Sequence, residues 1–265
     1  NLPHIGETVK AKKWYPKLGG KGGNQAIAAA AYPVSIKLVS AVGNDDFGNY
    51  ILKSLKDKSI DTTYIQSLSK HSSGMSVAIS NHEGDYGATI VSGANLHIDP
   101  FILDDPTIWE KTKLLMIQNE IDNKLNVLAA NKAKKKGVKV FYNAAPAKKI
   151  NSDLQANIDI LLINKIEAEE ITNTKISTLD DAFIACRLLT KNSPLAIISI
   201  GEQGVVICEQ EKKPIYFEAL KVKVRSTHGA GDTFAGTFCA ALVSGKEIDE
   251  AIKIAIKKAA EFISI

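Results

Sequence analysis

The chain has 265 residues, 45% hydrophobic and 23% charged, enough to bury a large core as one domain with a small appendage. No apolar run approaches the roughly 20 residues that cross a bilayer, and "NLPHIGETVKAKK" carries no signal-peptide apolar region, so the expected address is cytoplasmic. The net charge of +4 comes from scattered lysines with one dense run, "KAKKKG", which reads as a solvated helix end rather than a nucleic-acid surface, and the isolated Cys186, Cys208 and Cys239 read as small core residues.

In chain order, "ETVKAKKWYP" predicts a strand with no helix after it. "KLGGKGGNQAIAAAA" then sets four glycines around Lys21, with Asn24 and Gln25 ahead of a small-residue helix. It is neither a P-loop, since no Ser or Thr follows the lysine, nor a dinucleotide fingerprint, since no buried strand precedes it. Lys21 and Asn24 could bind hydroxyls or phosphate oxygens there, or the glycines could form a hinge.

Next come "IKLVSAV" as a strand and "DDFGNYILKSLKDKS" as a helix. "SGMSVAISNHEGDYGATIVSG" predicts two strands joined at "NHEGDYG". With the strand near 8–16, the strands of 74–92 would form a small antiparallel lid. The remaining runs alternate: "KLLMIQ" with "DNKLNVLAANKAKKK", "VKVFYNA", "IDILLIN" with "KIEAEEIT", then "LAIISI". Such alternation predicts an α/β fold, a mostly parallel sheet with helices on both faces.

Ligands of such sheets gather at the carboxyl ends of the strands. "INKIEAEEIT" puts Asn164 and Glu167 there, where acidic residues also suit the helix dipole. "ISIGEQGVVIC" puts Gly201 and Gly204 in a hairpin turn after Ser199. In "STHGAGDTF", Gly229, Ala230 and Gly231 precede Asp232 and a buried helix, "TFAGTFCAALV". Bare amides at a helix start make an anion hole. A carboxylate beside it is either a general base or a helix N-cap.

Taken together and in order, these stretches resemble the ribokinase family, the phosphofructokinase-B-like sugar and nucleoside kinases. The resemblance covers nearly the whole chain and rests on "GGKGGNQA", "GMSVAISNHEGDYGATIVSGAN", "MIQNE", "NAAPA", "INKIEAEEIT", "ISIGEQG" and "HGAGDTFAG". It implies a three-layer sandwich with a β-sheet lid, and ATP-dependent phosphorylation of a sugar's primary hydroxyl, D-ribose first. The alternatives are a nucleoside or another sugar, or a catalytically weak sugar- or nucleotide-binding protein. It implies that Gly20, Lys21, Gly22, Gly23, Asn24 and Glu120 line the sugar pocket. Asn164, Ser199, Gly201, Gly204 and Gly231 would meet ATP, and Glu167 would hold Mg2+ through water. Asp232 would be the base, with Gly229, Ala230 and Gly231 as the anion hole. Ser226 stands where relatives carry an Asp that helps to bind a monovalent cation, and His228 where a small or aliphatic residue is common, so that site would lose its charged ligand. The family pattern also leads one to expect segments before Asn1 and after Ile265, and a second copy could pair with the edges of the lid.

Overall fold

A computed structural model of the chain describes residues 6–80 and 86–264. After an irregular segment come α1 (Lys21–Ala30), β1 (Ser40–Gly43), α2 (Asp46–Lys56), β2 (Ile65–Leu68), β3 (Met75–Ser80), β4 (Tyr86–Val91) and the short α3 (Pro106–Trp109). Then follow β5 (Leu114–Gln118), α4 (Asn123–Lys135), β6 (Lys139–Asn143), α5 (Ser152–Gln155), β7 (Ile160–Asn164), α6 (Lys165–Thr172) and α7 (Leu179–Leu189). The last elements are β8 (Leu195–Ser199), β9 (Gly204–Glu209), β10 (Ile215–Glu218), α8 (Ala230–Val243) and α9 (Ile248–Ser264).

The main sheet has the order β10-β9-β8-β7-β6-β5. Strands β5 to β8 are parallel, β9 runs against them, and β10, antiparallel to β9, runs in their direction again. Its strands read as unbroken apolar runs because both faces are covered. Phe141, Ile160, Leu162, Ile197 and Ile207 pack against Phe234, Phe238 and Ile252 of α8 and α9. Their neighbours Val140, Leu161, Ile163 and Ile198 pack on the other side with Ala129 and Ala133 of α4 and Cys186 of α7. The α/β sandwich expected from the alternation is thus observed, and all three cysteines are buried free thiols. "KAKKKG" does close a helix: Lys132, Lys134 and Lys135 occupy the last turn of α4, where cations suit the dipole.

Three expectations need correction. No strand forms over 8–16; that stretch is exposed, with Trp14 at 82% exposure, and it has no ladder partner to satisfy its backbone. The small sheet is therefore the hairpin β3–β4 alone, and its expected turn, "NHEGDYG", lies largely outside the described residues. "IKLVSAV" does not join the main sheet: only its end forms β1, which pairs in parallel with β2, a strand the pattern does not announce. Finally, α1 begins at Lys21 with Gly20 as its N-cap, so Asn24 and Gln25 lie inside the helix rather than ahead of it.

The base of the hairpin is fastened to β1. Asp45, the N-cap of α2, accepts from the amide and hydroxyl of Ser73 at 2.8 and 2.6 Å, and the Ser73 hydroxyl accepts from the Gly43 amide at 2.9 Å. Among the described residues no helix is long and apolar enough to cross a membrane.

Candidate active site

Two helix N-termini meet above the carboxyl ends of the parallel strands. Helix α8 crosses α1 closely at Gly236, where an added Cβ would collide with the Gln25 carbonyl. One turn before Gly236, Asp232 is 7% exposed. Its carboxylate makes no capping bond to its own helix, whose N-cap is Gly229 with φ 91°. The N-cap alternative for Asp232 is thereby replaced by contacts across to α1. Asn24 Nδ2 donates to Asp232 Oδ2 at 3.0 Å, and Gln25 Nε2 donates to Oδ1 at 3.0 Å. Lys21 Nζ stands 4.0 Å from Oδ1.

Positions 21, 24 and 25 share one helix face by the i, i+3, i+4 rule, which is why three polar side chains converge on a single carboxylate. The glycines make this approach feasible. Gly20 has φ 86°, a region that disfavours side chains, and its missing Cβ would lie 3.8 Å from Glu120 Oε2. That same Glu120 oxygen accepts the Lys21 amide at 2.7 Å, tying the first turn of α1 to the segment just after β5.

In front of α8 the amide of Ala230 is taken by the Thr227 carbonyl at 3.2 Å. The expected hole of Gly229, Ala230 and Gly231 is therefore modified, because Ala230 uses its donor in the turn that starts the helix. The amides of Gly231 and Asp232 make no hydrogen bond, as is usual in the first turn of a helix. A Cβ on Gly231 would meet nothing within 4 Å, so there is open space beside the first turn of α8. The arrangement sets a buried carboxylate next to bare amides and an open approach, which suits proton removal beside a bound anion.

At the next strand ends, Asn164 and Glu167 form a capping box. Glu167 N–H donates to Asn164 Oδ1 at 2.9 Å, and Asn164 N–H donates to Glu167 Oε2 at 2.8 Å. Glu167 is 4% exposed. Burial raises its carboxyl above the ordinary range, opposed by the Asn164 amide and by the charge of Lys21. Lys21 thus acts electrostatically on both acidic groups. Ser199, in register with Asn164, ends β8, and Gly201 (φ 64°) and Gly204 (φ 127°) form the expected turn into β9. Ser226 and His228 are exposed, and the Ser226 hydroxyl accepts the His228 amide at 3.3 Å.

Two further residues join the site without having been singled out. Gln25 is 1% exposed, and its Oε1 accepts from Gln118 Nε2 at 2.5 Å, so β5 is connected to Asp232 through it. The signal was present in "NQA": once the helix starts at Lys21, Gln25 falls on the face of Lys21 and Asn24.

Residues 2–264 match the family described as pfkB family carbohydrate kinase. The chain is 33% identical to a ribokinase of Haemophilus influenzae over 265 residues, covering 98% of this chain and 85% of that one. It is 30% identical to a deoxyribokinase of Salmonella typhi, covering 98% and 85% of the two chains. The structure of Arabidopsis thaliana ribokinase complexed with ribose and ATP superimposes with a TM-score of 0.92 at 29% identity, covering 100% of this chain and 87% of that one. The chain belongs to the pfkB family of carbohydrate kinases.

Proposed function

We propose that this kinase transfers the γ-phosphoryl group of ATP to the primary hydroxyl of D-ribose, giving ribose 5-phosphate and ADP. The observation that carries the reading is the Asp232 carboxylate, buried, held by Asn24 and Gln25, and adjacent to the bare amides of Gly231 and Asp232. The ribokinase relatives and the ribose and ATP bound to the Arabidopsis enzyme support the choice of substrates.

In this mechanism Gly20, Lys21, Gly22, Gly23, Asn24 and Glu120 bind the sugar hydroxyls. Asp232 takes the proton of the attacking hydroxyl as its oxygen bonds to the γ-phosphorus and the bond to the β-phosphate bridge breaks. Gly229, Gly231 and the Asp232 amide neutralise charge on the transferring group, and Asn164, Ser199, Gly201 and Gly204 meet the nucleotide. Phosphoryl transfer depends mostly on such positioning and electrostatics. The hairpin β3–β4 closes over the sugar and excludes water.

Magnesium fits the site chemically. Among the described residues no three acidic, His or Cys side chains gather as a cage, and magnesium is an ion that keeps its waters and uses one or two carboxylates with substrate phosphates. Glu167 would hold it through water, and the ion would offset phosphate charge. Exposed Val77, Ile79, Ile90 and Val91 on β3 and β4 support pairing of the lid with a second copy. The three free thiols suit a reducing cytoplasm.

The deoxyribokinase relative favours 2-deoxy-D-ribose as a second reading. The test is ADP release with MgATP and a panel of D-ribose, 2-deoxy-D-ribose, hexoses and nucleosides, with product mass. D-ribose should give the highest kcat/KM and a 5-phosphate; a faster deoxyribose or nucleoside reassigns the substrate. No turnover with any acceptor leaves a binding protein instead.

A further inference from the structure

The carboxylate proposed to act as base is not held by substrate-binding groups alone. Gln25 lies on α1 with its side chain almost wholly buried, and both ends of its amide are engaged. Its oxygen accepts from Gln118 Nε2 at 2.5 Å, which leaves its nitrogen facing Asp232 Oδ1 at 3.0 Å. Gln118 ends β5 and is in turn fixed through its backbone, where its carbonyl accepts from Asn126 Nδ2 of α4 at 2.8 Å. Asp232 is therefore linked to the central sheet by an uninterrupted amide chain that runs from α4 through β5 and α1 to α8.

We infer that Gln25, oriented by Gln118, is a positioning residue that fixes the rotamer and the charged form of Asp232; this rests on the reading of Asp232 as the base. Three features of the geometry support it. A buried carboxamide with both ends satisfied has one orientation only, because reversing it would set oxygen against the carboxylate and nitrogen against the Gln118 donor. Gln25 occupies one lone-pair position on Oδ1 and Asn24 one on Oδ2, and an ionised carboxylate offers about four. The remaining positions stay open to a substrate hydroxyl. A neutral amide also stabilises the carboxylate without competing for the proton, which Lys21, 4.0 Å away, complements by charge.

The division of labour is then specific. Asn24 is part-buried and can exchange its partner for a sugar hydroxyl, whereas Gln25, 1% exposed, is sealed between Gln118 and Asp232. Loss of Gln25 should disturb the chemical step and leave binding intact.

The test replaces the amide by a side chain of similar shape that cannot donate, Gln25→Met, with Gln118→Met as the half-buried second variant. With the best sugar acceptor and MgATP, Gln25→Met should lower kcat by about tenfold, with both KM values within about twofold, and move the acidic limb of the pH–rate profile upward. Gln118→Met should show the same pattern more weakly, and the double variant should be no worse than Gln25→Met alone, because the two act as one chain. Wild-type kcat in Gln25→Met overturns the inference, as does a parallel change in kcat and KM with the pH limb unmoved. If Gln25→Met does not fold, Gln118→Met decides by the same criteria. A second readout needs no turnover: carbon NMR titration of the Asp232 side chain, identified through Asp232→Asn. A higher midpoint in Gln25→Met supports the positioning role, and an unchanged one refutes it, even where an inactive wild type has refuted the kinase reading.

Discussion

Replacing Gly236 by alanine tests whether the closeness of α1 and α8 aims the Asp232 carboxylate. The new methyl would collide with the Gln25 carbonyl and stand 2.8 Å from the Cβ of Ala28. Carbon atoms in contact prefer about 3.5 Å or more, so the helices must part by at least ~0.7 Å. A hydrogen bond of 3.0 Å from Gln25 to Asp232 stretched that far leaves the range of roughly 2.7–3.2 Å in which such bonds are strong. Overpacking costs about 1–3 kcal/mol, and the better helix propensity of alanine returns ~1 kcal/mol. The net loss of about 0–2 kcal/mol corresponds to a Tm lower by up to roughly 4–8 °C for a domain of this size. The functional effect should be larger than the thermal one, since a misplacement near 1 Å can cost about 10²-fold in rate. Scanning calorimetry and initial rates at saturating substrates measure the two separately. A variant with wild-type kcat and an unchanged Tm would show that the helix contact is slack and that the carboxylate is aimed by something else.

Gly231→Ala should fold normally, because its Cβ meets nothing, yet kcat should fall by at least about tenfold if the open space belongs to the transferring phosphate; unchanged turnover would move the phosphate elsewhere. Asp232→Asn keeps the shape but not the basicity, so kcat should fall by roughly 10²–10⁴ with ATP affinity, measured by calorimetry, little altered. Glu167 has its carboxyl raised by burial, so its contribution to stability is present at low pH and is lost as pH rises through its folded value. Glu167→Gln, which can still complete the capping box, should therefore gain stability relative to wild type from about pH 4 upward in urea titrations, while needing more magnesium for half-maximal rate. The hydroxyl of Ser226 already accepts the His228 amide and carries no charge, so potassium should activate by less than about tenfold over a bulky organic cation at constant ionic strength.

The sheet was legible because its strands are buried on both faces and therefore announce themselves as unbroken apolar runs, as in "IDILLIN" and "LAIISI". Periodicity carried less information where burial is one-sided or absent. "ETVKAKKWYP" has the composition of a strand, but a strand exists only where a partner supplies a ladder, and none lies beside residues 8–16. β2 was invisible for the opposite reason: three half-buried residues and an exposed Ser67 have no pattern apart from their pairing with β1. In the site, Asp232, Asn24, Lys21, Asn164 and Glu167 could be picked out because glycines or strand ends mark their segments. Gln118 could not, and Gln25 only once the start of α1 at Lys21 is known, since their roles arise from α1 crossing over β5 and α8, a tertiary fact. The start of α1 also escaped, because four glycines argue against helix locally by about 1 kcal/mol each where they fall inside one, and the packing of Ala26 and Ala29 overrides them.

The placement of a carboxylate next to the proposed anion hole becomes intelligible once its surroundings are counted. Asp232 alone would repel the incoming phosphate. Its two oxygens are met by the amides of Asn24 and Gln25, and Lys21 supplies a positive charge that also acts on Glu167. These contacts draw its charge toward α1 rather than toward the bare amides of Gly231 and Asp232. The Asn24 and Gln25 donors keep Asp232 from folding back to cap its own helix, which would consume the amides that the proposed phosphate site needs. Placing the donors on α1 and the amides on α8 separates the two tasks, and under the proposed mechanism the geometry of proton removal depends on the crossing of two helices at Gly236 rather than on a flexible loop.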